Sequence, residues 1–217
     1  MERLKKIMKM NKKQDFIESY FIGFKKIFPD LTIEVFEKYH DESIYSGYPD
    51  DPSGSMWDSE GRSIYVLIRI LKPKRILEIG NFKGVSSNHI LQAVENNGFG
   101  YVVLDDIEER IDYSKIHNNN FKRIIQDSLK YLDDEFEFDL IIQDGNHTHQ
   151  HVKKEIELIL KNNKMNSFII WGHDYYQRSK PTQCSVWKAW DEMKNKFNEF
   201  EGFKDSISNC GFLIAKK

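Results

Sequence analysis

From Arg75 onward the chain repeats one pattern: a short apolar run, then a longer stretch whose apolar residues recur every three or four positions. That alternation predicts strands at 75–79, 100–105, 121–125, 138–143 and 166–171 with helices between them. Runs such as Tyr101-Val102-Val103-Leu104 and Phe138-Asp139-Leu140-Ile141-Ile142 are nearly continuous. Strands of that kind are buried on both faces, which marks a parallel α/β sheet. A helix over 184–198 and two short apolar runs, Phe203 to Ile207 and Phe212 to Ala215, follow. Ser208-Asn209-Cys210-Gly211 between the two runs has a tight-turn composition, predicting an antiparallel edge hairpin.

Upstream, Leu4, Ile7 and Met8, then Ile17, Tyr20, Phe21, Phe24, Ile27 and Phe28, keep helical spacing until Pro29. Residues 43–55 hold two prolines and two glycines and read as a loop, followed by a helix from Trp57 to Leu71. The expected division is a helical extension and loop over 1–56 and an α/β domain over 57–217. The extension's apolar stripe has three uses open to it: packing on the core, covering a substrate site, or meeting a second copy of the chain in a homo-oligomer.

The 217 residues suit one large domain, and a chain of this size buries roughly 70% of its unfolded surface. A formal net charge of −2 gives no global electrostatic case for nucleic acid. The early run Arg3, Lys5, Lys6, Lys9, Lys12, Lys13 is read as the solvated face of a helix rather than a membrane contact. No apolar stretch has bilayer length and the basic start lacks a signal peptide's apolar region, so a cytoplasmic location is expected. Cys184 and Cys210 lack metal or redox spacing and are expected to be reduced thiols.

In open α/β sheets ligands bind beyond the carboxyl ends of the strands. Here those ends are polar: Glu78 and Gly80, then Asp105-Asp106, Gln126-Asp127-Ser128, Asp144-Gly145-Asn146-His147, and Gly172-His173-Asp174. Helix capping explains single acids, but Ser, Thr or Asn would cap as well, so five acidic ends ask for more. The first turn, Ile76-Leu77-Glu78-Ile79-Gly80-Asn81-Phe82-Lys83-Gly84, is Glu-x-Gly-x-x-x-Gly and not the G-x-G-x-x-G of dinucleotide sites. Asp105 is the candidate acceptor for two ribose hydroxyls, with Asp106 read as a helix cap; a strand end displaced by one residue exchanges them.

Ile76 to Ser87 resembles the first motif of class I S-adenosylmethionine-dependent methyltransferases, in the Glu-x-Gly-x-x-x-Gly-x-Ser form of the catechol-type O-methyltransferases. The stretch Asp139 to His147, followed by Phe168 to Tyr175, is similar to the "Asp-Gly-x-His … His-Asp" pattern of the cephalosporin hydroxylase and macrolide-sugar O-methyltransferase branch. The resemblance implies a Rossmann-like doubly wound sheet of seven strands in the order 3-2-1-4-5-7-6, the last antiparallel. It also implies methyl transfer from S-adenosylmethionine to a sugar or other small-molecule hydroxyl. By position, the cofactor's methionine part would meet Glu78, Gly80, Asn81, Phe82, Gly84 and Ser86. Asp105 and Asp106 would stand at the ribose, Asp127 and Ser128 at the adenine. Asp144 matches a magnesium ligand of metal-dependent relatives, and His147 matches a proposed general base.

Chemistry supports His147 separately, because a neutral imidazole accepts a hydroxyl proton near pH 7. Asp144 and Asp174 could hold magnesium or another divalent metal. Relatives carry adjacent acids at the fifth strand, whereas this chain has His173, which shifts preference toward softer metals. His173 is equally open to a second acid/base role or a hydrogen bond to Asp144. Acceptor contacts are expected from two loops, one with Tyr45, Tyr48, Asp50, Asp51 and Trp57, the other with Tyr175, Tyr176, Arg178, Lys180 and Trp187. Two competing readings remain. The run His147-Thr148-His149-Gln150-His151 superficially resembles that of β-lactamase-type metallo-hydrolases, and the fold also serves noncatalytic cofactor- or partner-binding domains.

Overall fold

The computed structural model describes residues 17–43, 56–111, 120–178, 183–204 and 210–217. The early basic run, Leu4, Ile7, Met8, Tyr45, Tyr48, Asp50, Asp51 and Lys180 lie outside the described residues. Seven strands form one sheet in the order β3-β2-β1-β4-β5-β7-β6. They are β1 (Arg75–Ile79), β2 (Tyr101–Asp106), β3 (Phe121–Ile125), β4 (Leu140–Gln143), β5 (Ile169–His173), β6 (Glu199–Phe203) and β7 (Phe212–Lys216). The first five are parallel to one another, and β7 runs antiparallel to both β5 and β6. This is the class I methyltransferase order anticipated above.

Alternate strand residues point to opposite faces, and each face meets its own helices. Ile76, Val102, Leu104, Leu140, Ile142 and Trp171 share an apolar cluster with α1 (17–27), α2 (Ile33–Glu42), α3 (Asp58–Leu71) and α4 (Val85–Asn97). Leu77, Ile79, Val103, Ile141 and Ile170 pack on α5 (Ser128–Leu132), α6 (His149–Asn162) and α7 (Val186–Met193). The described part of the N-terminal extension is therefore core. Tyr20 meets Phe212 edge-on at 5.0 Å, and Phe24 meets Phe203 at 5.4 Å.

Three predicted boundaries move. β5 extends to His173, so His173 belongs to the strand itself. Helix α7 ends at Met193 and a 3₁₀ turn over Lys194–Lys196 follows it, which frees Glu199 to Phe203 for β6, four residues before the predicted run. Within Glu199-Phe200-Glu201-Gly202-Phe203 the two phenylalanines point to opposite faces of the sheet, Phe203 into one apolar cluster and Phe200 against the other. Residues 205–209, which hold the first half of the expected tight turn, lie outside the described residues.

Candidate functional site

The five parallel strands end at one cleft of about 870 Å³. Its floor begins at the turn after β1. Gly80 has φ +81°, and a Cβ there would lie 2.3 Å from the Asp144 carbonyl oxygen, so only glycine lets β1 and β4 close at this point. Phe82 also takes positive φ, at 41°. Its N–H donates to Asp106 Oδ2 at 2.7 Å, while the Glu108 N–H donates to Oδ1 at 3.1 Å. Asp106 thus clamps the β1 turn to the end of β2. Gly84, at φ +81°, is the N-cap of α4 and leads backbone amides toward the cleft.

The candidate cofactor residues separate into two groups. Gly80, Asn81, Phe82, Ser86, Asp105, Asp106, Asp127, Ser128 and Asp144 line the cleft. Glu78 and Gly84 stand behind that wall. Glu78 is fully buried, accepts from Ser87 Oγ, and is pushed up to about 7 by its burial. Asp105 is also buried and is pushed up to about 7, first by burial and then by Asp106, Glu155 and Asp127. Among the described residues its Oδ1 has no hydrogen-bond partner, and neither has Glu78 Oε1. Asp127 caps α5 by accepting from the Leu129 N–H at 2.8 Å. Ser128 Oγ donates to Glu155 Oε1 at 2.6 Å and faces His151 Nε2 at 3.0 Å.

At the other end of the cleft, His173 reaches from β5 between two carboxylates. Its Nδ1 lies 3.0 Å from Asp144 Oδ1 and its Nε2 lies 3.0 Å from Glu60 Oε2. Ionised carboxylates only accept, so both ring nitrogens donate and the ring is an imidazolium. Burial disfavours that charge, but Asp144, Glu60 and Asp174 outweigh it and hold the His173 pKa well above the usual histidine value. Burial likewise opposes ionisation of Asp144, and His173 followed by His147 overcomes it, leaving the Asp144 pKa low. Asp174 adopts φ +59° although it is not glycine, a conformation that other residues hold only under constraint. The thiols of Cys184 and Cys210 hydrogen-bond to its carboxylate and are pushed up to about 11 and about 12, by burial first and Asp174 second. Both thiols therefore stay protonated at neutral pH, and no disulfide joins them.

His147 occupies the mouth, its side chain 45% exposed, with Nε2 3.6 Å from Asp144 Oδ1 and 3.4 Å from Asp174 Oδ2. The interaction with Asp144 raises its pKa, and Asp174 adds to the effect. The turn that carries it is held by the Ser185 N–H, which donates to the His147 carbonyl at 2.8 Å. The other two histidines of the run face elsewhere: His149 turns to Glu192 at 3.0 Å and His151 to Glu155 at 3.3 Å. Three rings with three separate partners do not converge on one ion, which removes the metallo-hydrolase reading.

Asp144, His173 and Asp174 each place one ligand-type atom within 4.8 Å of the others. Magnesium suits the two carboxylates, whereas His173 presents protons on both nitrogens and no lone pair. Among the acceptor-loop candidates, Trp57 is 43% exposed and lines the cleft, while Arg178 stacks on Trp187 at 4.7 Å. Sequence reasoning missed Glu60, Glu155, Cys184 and Cys210 as site residues. Glu60 stands on α3 and Glu155 on α6, away from any strand end, and no spacing in the chain pointed to them.

A seven-stranded sheet of this order, with a ligand cleft across its parallel strand ends, defines the class I methyltransferase fold. Residues 77–175 match the sequence model of a family described as a methyltransferase domain, and the sheet has the strand order of that fold. An O-methyltransferase of Bacillus cereus bound to S-adenosylhomocysteine is 19% identical, with 84% of this chain and 88% of that one covered and a TM-score of 0.60. TomG of Streptomyces achromogenes, an O-methyltransferase of tomaymycin synthesis solved with S-adenosylmethionine, is 17% identical over 82% and 96% with a TM-score of 0.60. The methyltransferase PaMTH1 of Podospora anserina, bound to S-adenosylhomocysteine, is 18% identical over 86% and 89% with a TM-score of 0.59. At these identities the likeness is one of fold. No curated protein matches the chain significantly in sequence.

Proposed function

We propose that the protein transfers the methyl group of S-adenosylmethionine to a hydroxyl of a small molecule, with His147 as general base. The observation that carries this reading is the placement of His147 at the mouth of the cleft, its Nε2 facing both Asp144 and Asp174. The cleft suits the cofactor on two grounds. Its glycine turn admits no Cβ at Gly80, and among the described residues Asp105 Oδ1 has no partner, as expected of an oxygen that takes a ligand hydroxyl.

The bound cofactor would supply an electrophilic methyl group on a sulfonium. The chain's residues do the rest. The turn from Gly80 to Gly84, with Asn81, Phe82 and Ser86, borders the methionine part, and the strand-end acids Asp105 and Asp106 border the ribose. Asp127 and Ser128 wall the adenine end. The hydroxyl proton would pass to the His147 imidazole as the acceptor oxygen took the methyl group and the thioether left. Asp144 and Asp174 stabilise the imidazolium so formed.

The two hard carboxylates favour a second reading, in which a divalent ion sits between Asp144 and Asp174 and His173 stays a hydrogen-bond donor. Calorimetric titration with S-adenosylmethionine and S-adenosylhomocysteine, in magnesium and in chelator, tests both. Micromolar binding supports the cofactor assignment, and tighter binding in magnesium supports the ion. Labelled methyl transfer to a panel of catechols and sugars then separates an enzyme from a domain that only binds. No binding under any condition refutes the proposal.

A further inference from the structure

Helix α3 precedes the segment that matches the methyltransferase family, yet it sends two side chains to the end of β5. Ser63 Oγ accepts from Trp171 Nε1 at 3.1 Å and donates to the Glu60 carbonyl at 2.6 Å. One turn earlier, Glu60 Oε2 accepts from His173 Nε2 at 3.0 Å and from the Trp57 N–H at 3.2 Å. The rings of Trp171 and His173 stack at 5.7 Å with planes 9° apart, so α3 grips both members of the stack. A glutamate at the third position of a helix caps its first turn from the surface equally well. Glu60 is instead fully buried, and the cation it faces belongs to the cleft.

We propose that Glu60 is a positioning residue for the methyl-transfer site: by holding His173 Nε2–H it turns Nδ1–H onto Asp144 Oδ1 and so orients the carboxylate that faces His147. The inference rests on the methyltransferase reading. Its geometry is a chain of contacts, with Glu60 to His173 at 3.0 Å, His173 to Asp144 at 3.0 Å and Asp144 to His147 at 3.6 Å. The groups that face the His173 ring are Glu60 from α3, Asp144 from the end of β4, Asp174 from the end of its own strand, and the indole of Trp171. Without the Glu60 carboxylate, Nε2–H loses its charged acceptor on α3. The ring is then free to turn about its Cβ–Cγ bond, and Asp144 loses its fixed donor.

Long-range proton–nitrogen NMR of the full chain, labelled in its histidine rings and kept in chelator, reads this directly. Wild type should show one histidine with two exchange-protected ring N–H protons, identified as His173 by their absence in His173→Asn. Glu60→Gln should speed exchange of at least one of them tenfold or more. Ser63→Ala, which removes the neighbouring contact between α3 and β5 with no change of charge, should leave both protected. If Glu60→Gln does not fold, Glu60→Asp, which withdraws the carboxylate by one methylene, should give the same loss. Only one protected proton in wild type overturns the proposal. So does wild-type exchange in the Glu60 variant, or equal loss in Ser63→Ala. Calorimetry with S-adenosylhomocysteine on the same samples keeps the two levels apart. A wild type that does not bind it defeats the methyltransferase reading whatever the ring signals, whereas binding with unchanged ring signals in the Glu60 variant defeats this inference alone.

Discussion

Gly80→Ala tests how β1, β4 and the cleft fit together, because a control exists in the same chain. Both Gly80 and Gly98 have positive φ, +81° and +74°, but a Cβ at Gly98 meets nothing within 4 Å, whereas at Gly80 it meets the Asp144 carbonyl at 2.3 Å. Gly98→Ala therefore reports backbone strain alone. The left-handed conformation costs a non-glycine residue about 1–2 kcal/mol. Loss of unfolded-state freedom offsets about 0.4–1 kcal/mol of that, leaving a net near 1 kcal/mol. Gly80→Ala carries the same strain plus overpacking against backbone that cannot rotate away, a further cost of about 1–3 kcal/mol. For a domain of this size each kcal/mol lowers Tm by about 2–4 °C, so Gly98→Ala should lose about 2–4 °C and Gly80→Ala about 4–16 °C. Because the displaced backbone carries Asp144, S-adenosylhomocysteine affinity should also fall in Gly80→Ala and stay at wild-type level in Gly98→Ala. Differential scanning calorimetry and ligand titration on both variants measure this. Melting temperatures within 1 °C of each other, or undiminished ligand affinity in Gly80→Ala, would refute the reasoning.

Further expectations concern charge. His147→Ala should cut turnover on the order of 10²–10⁴-fold while leaving S-adenosylhomocysteine affinity near wild type, since a general base acts on the acceptor. The carboxylates raise the His147 pKa, and only the neutral ring takes a proton, so methyl transfer should climb as pH rises through a value above 6.5 and then level off; a flat profile from pH 6 to 9 argues against this base. Asp105→Ala should weaken S-adenosylhomocysteine binding about tenfold or more, the effect of removing one charge-assisted contact, with isothermal titration as the check. Glu78, pushed up to about 7, binds its proton more readily folded than unfolded, so its contribution to stability is present below its ordinary value of 4.5 and is lost as pH rises toward 7. The Tm of Glu78→Gln relative to wild type should accordingly increase between pH 5 and pH 8.

The parallel strands were legible because burial on both faces gives a two-sided apolar signal, as at Val102 to Leu104 and Leu140 to Ile142, whereas their order came only from the resemblance of the strand-end motifs to those of methyltransferases. Asp144, His147 and Asp174 were legible because topology brings strand ends together whatever the side-chain detail. The edge strand β6 was misplaced for the opposite reason: with one strand partner it is mostly half-buried, and the glutamates at 199 and 201 disguise it. Glu60 was beyond reach because its partner, His173, is 113 residues away in sequence, and an acid in the first turn of a helix has an ordinary local explanation. The pairing of Cys184 and Cys210 around Asp174 depends on a loop and a strand start that no periodicity relates.

The aromatic stripe of α1 closes on Phe203 and Phe212, at the far end of the chain. During synthesis, at about 5–20 residues per second, Tyr20 and Phe24 therefore wait roughly 10–40 s before the strands that cover them leave the ribosome. Docking of α1 is a late event set by translation, and slowing elongation past β5 lengthens the interval in which this stripe is open to chaperones or to another nascent chain.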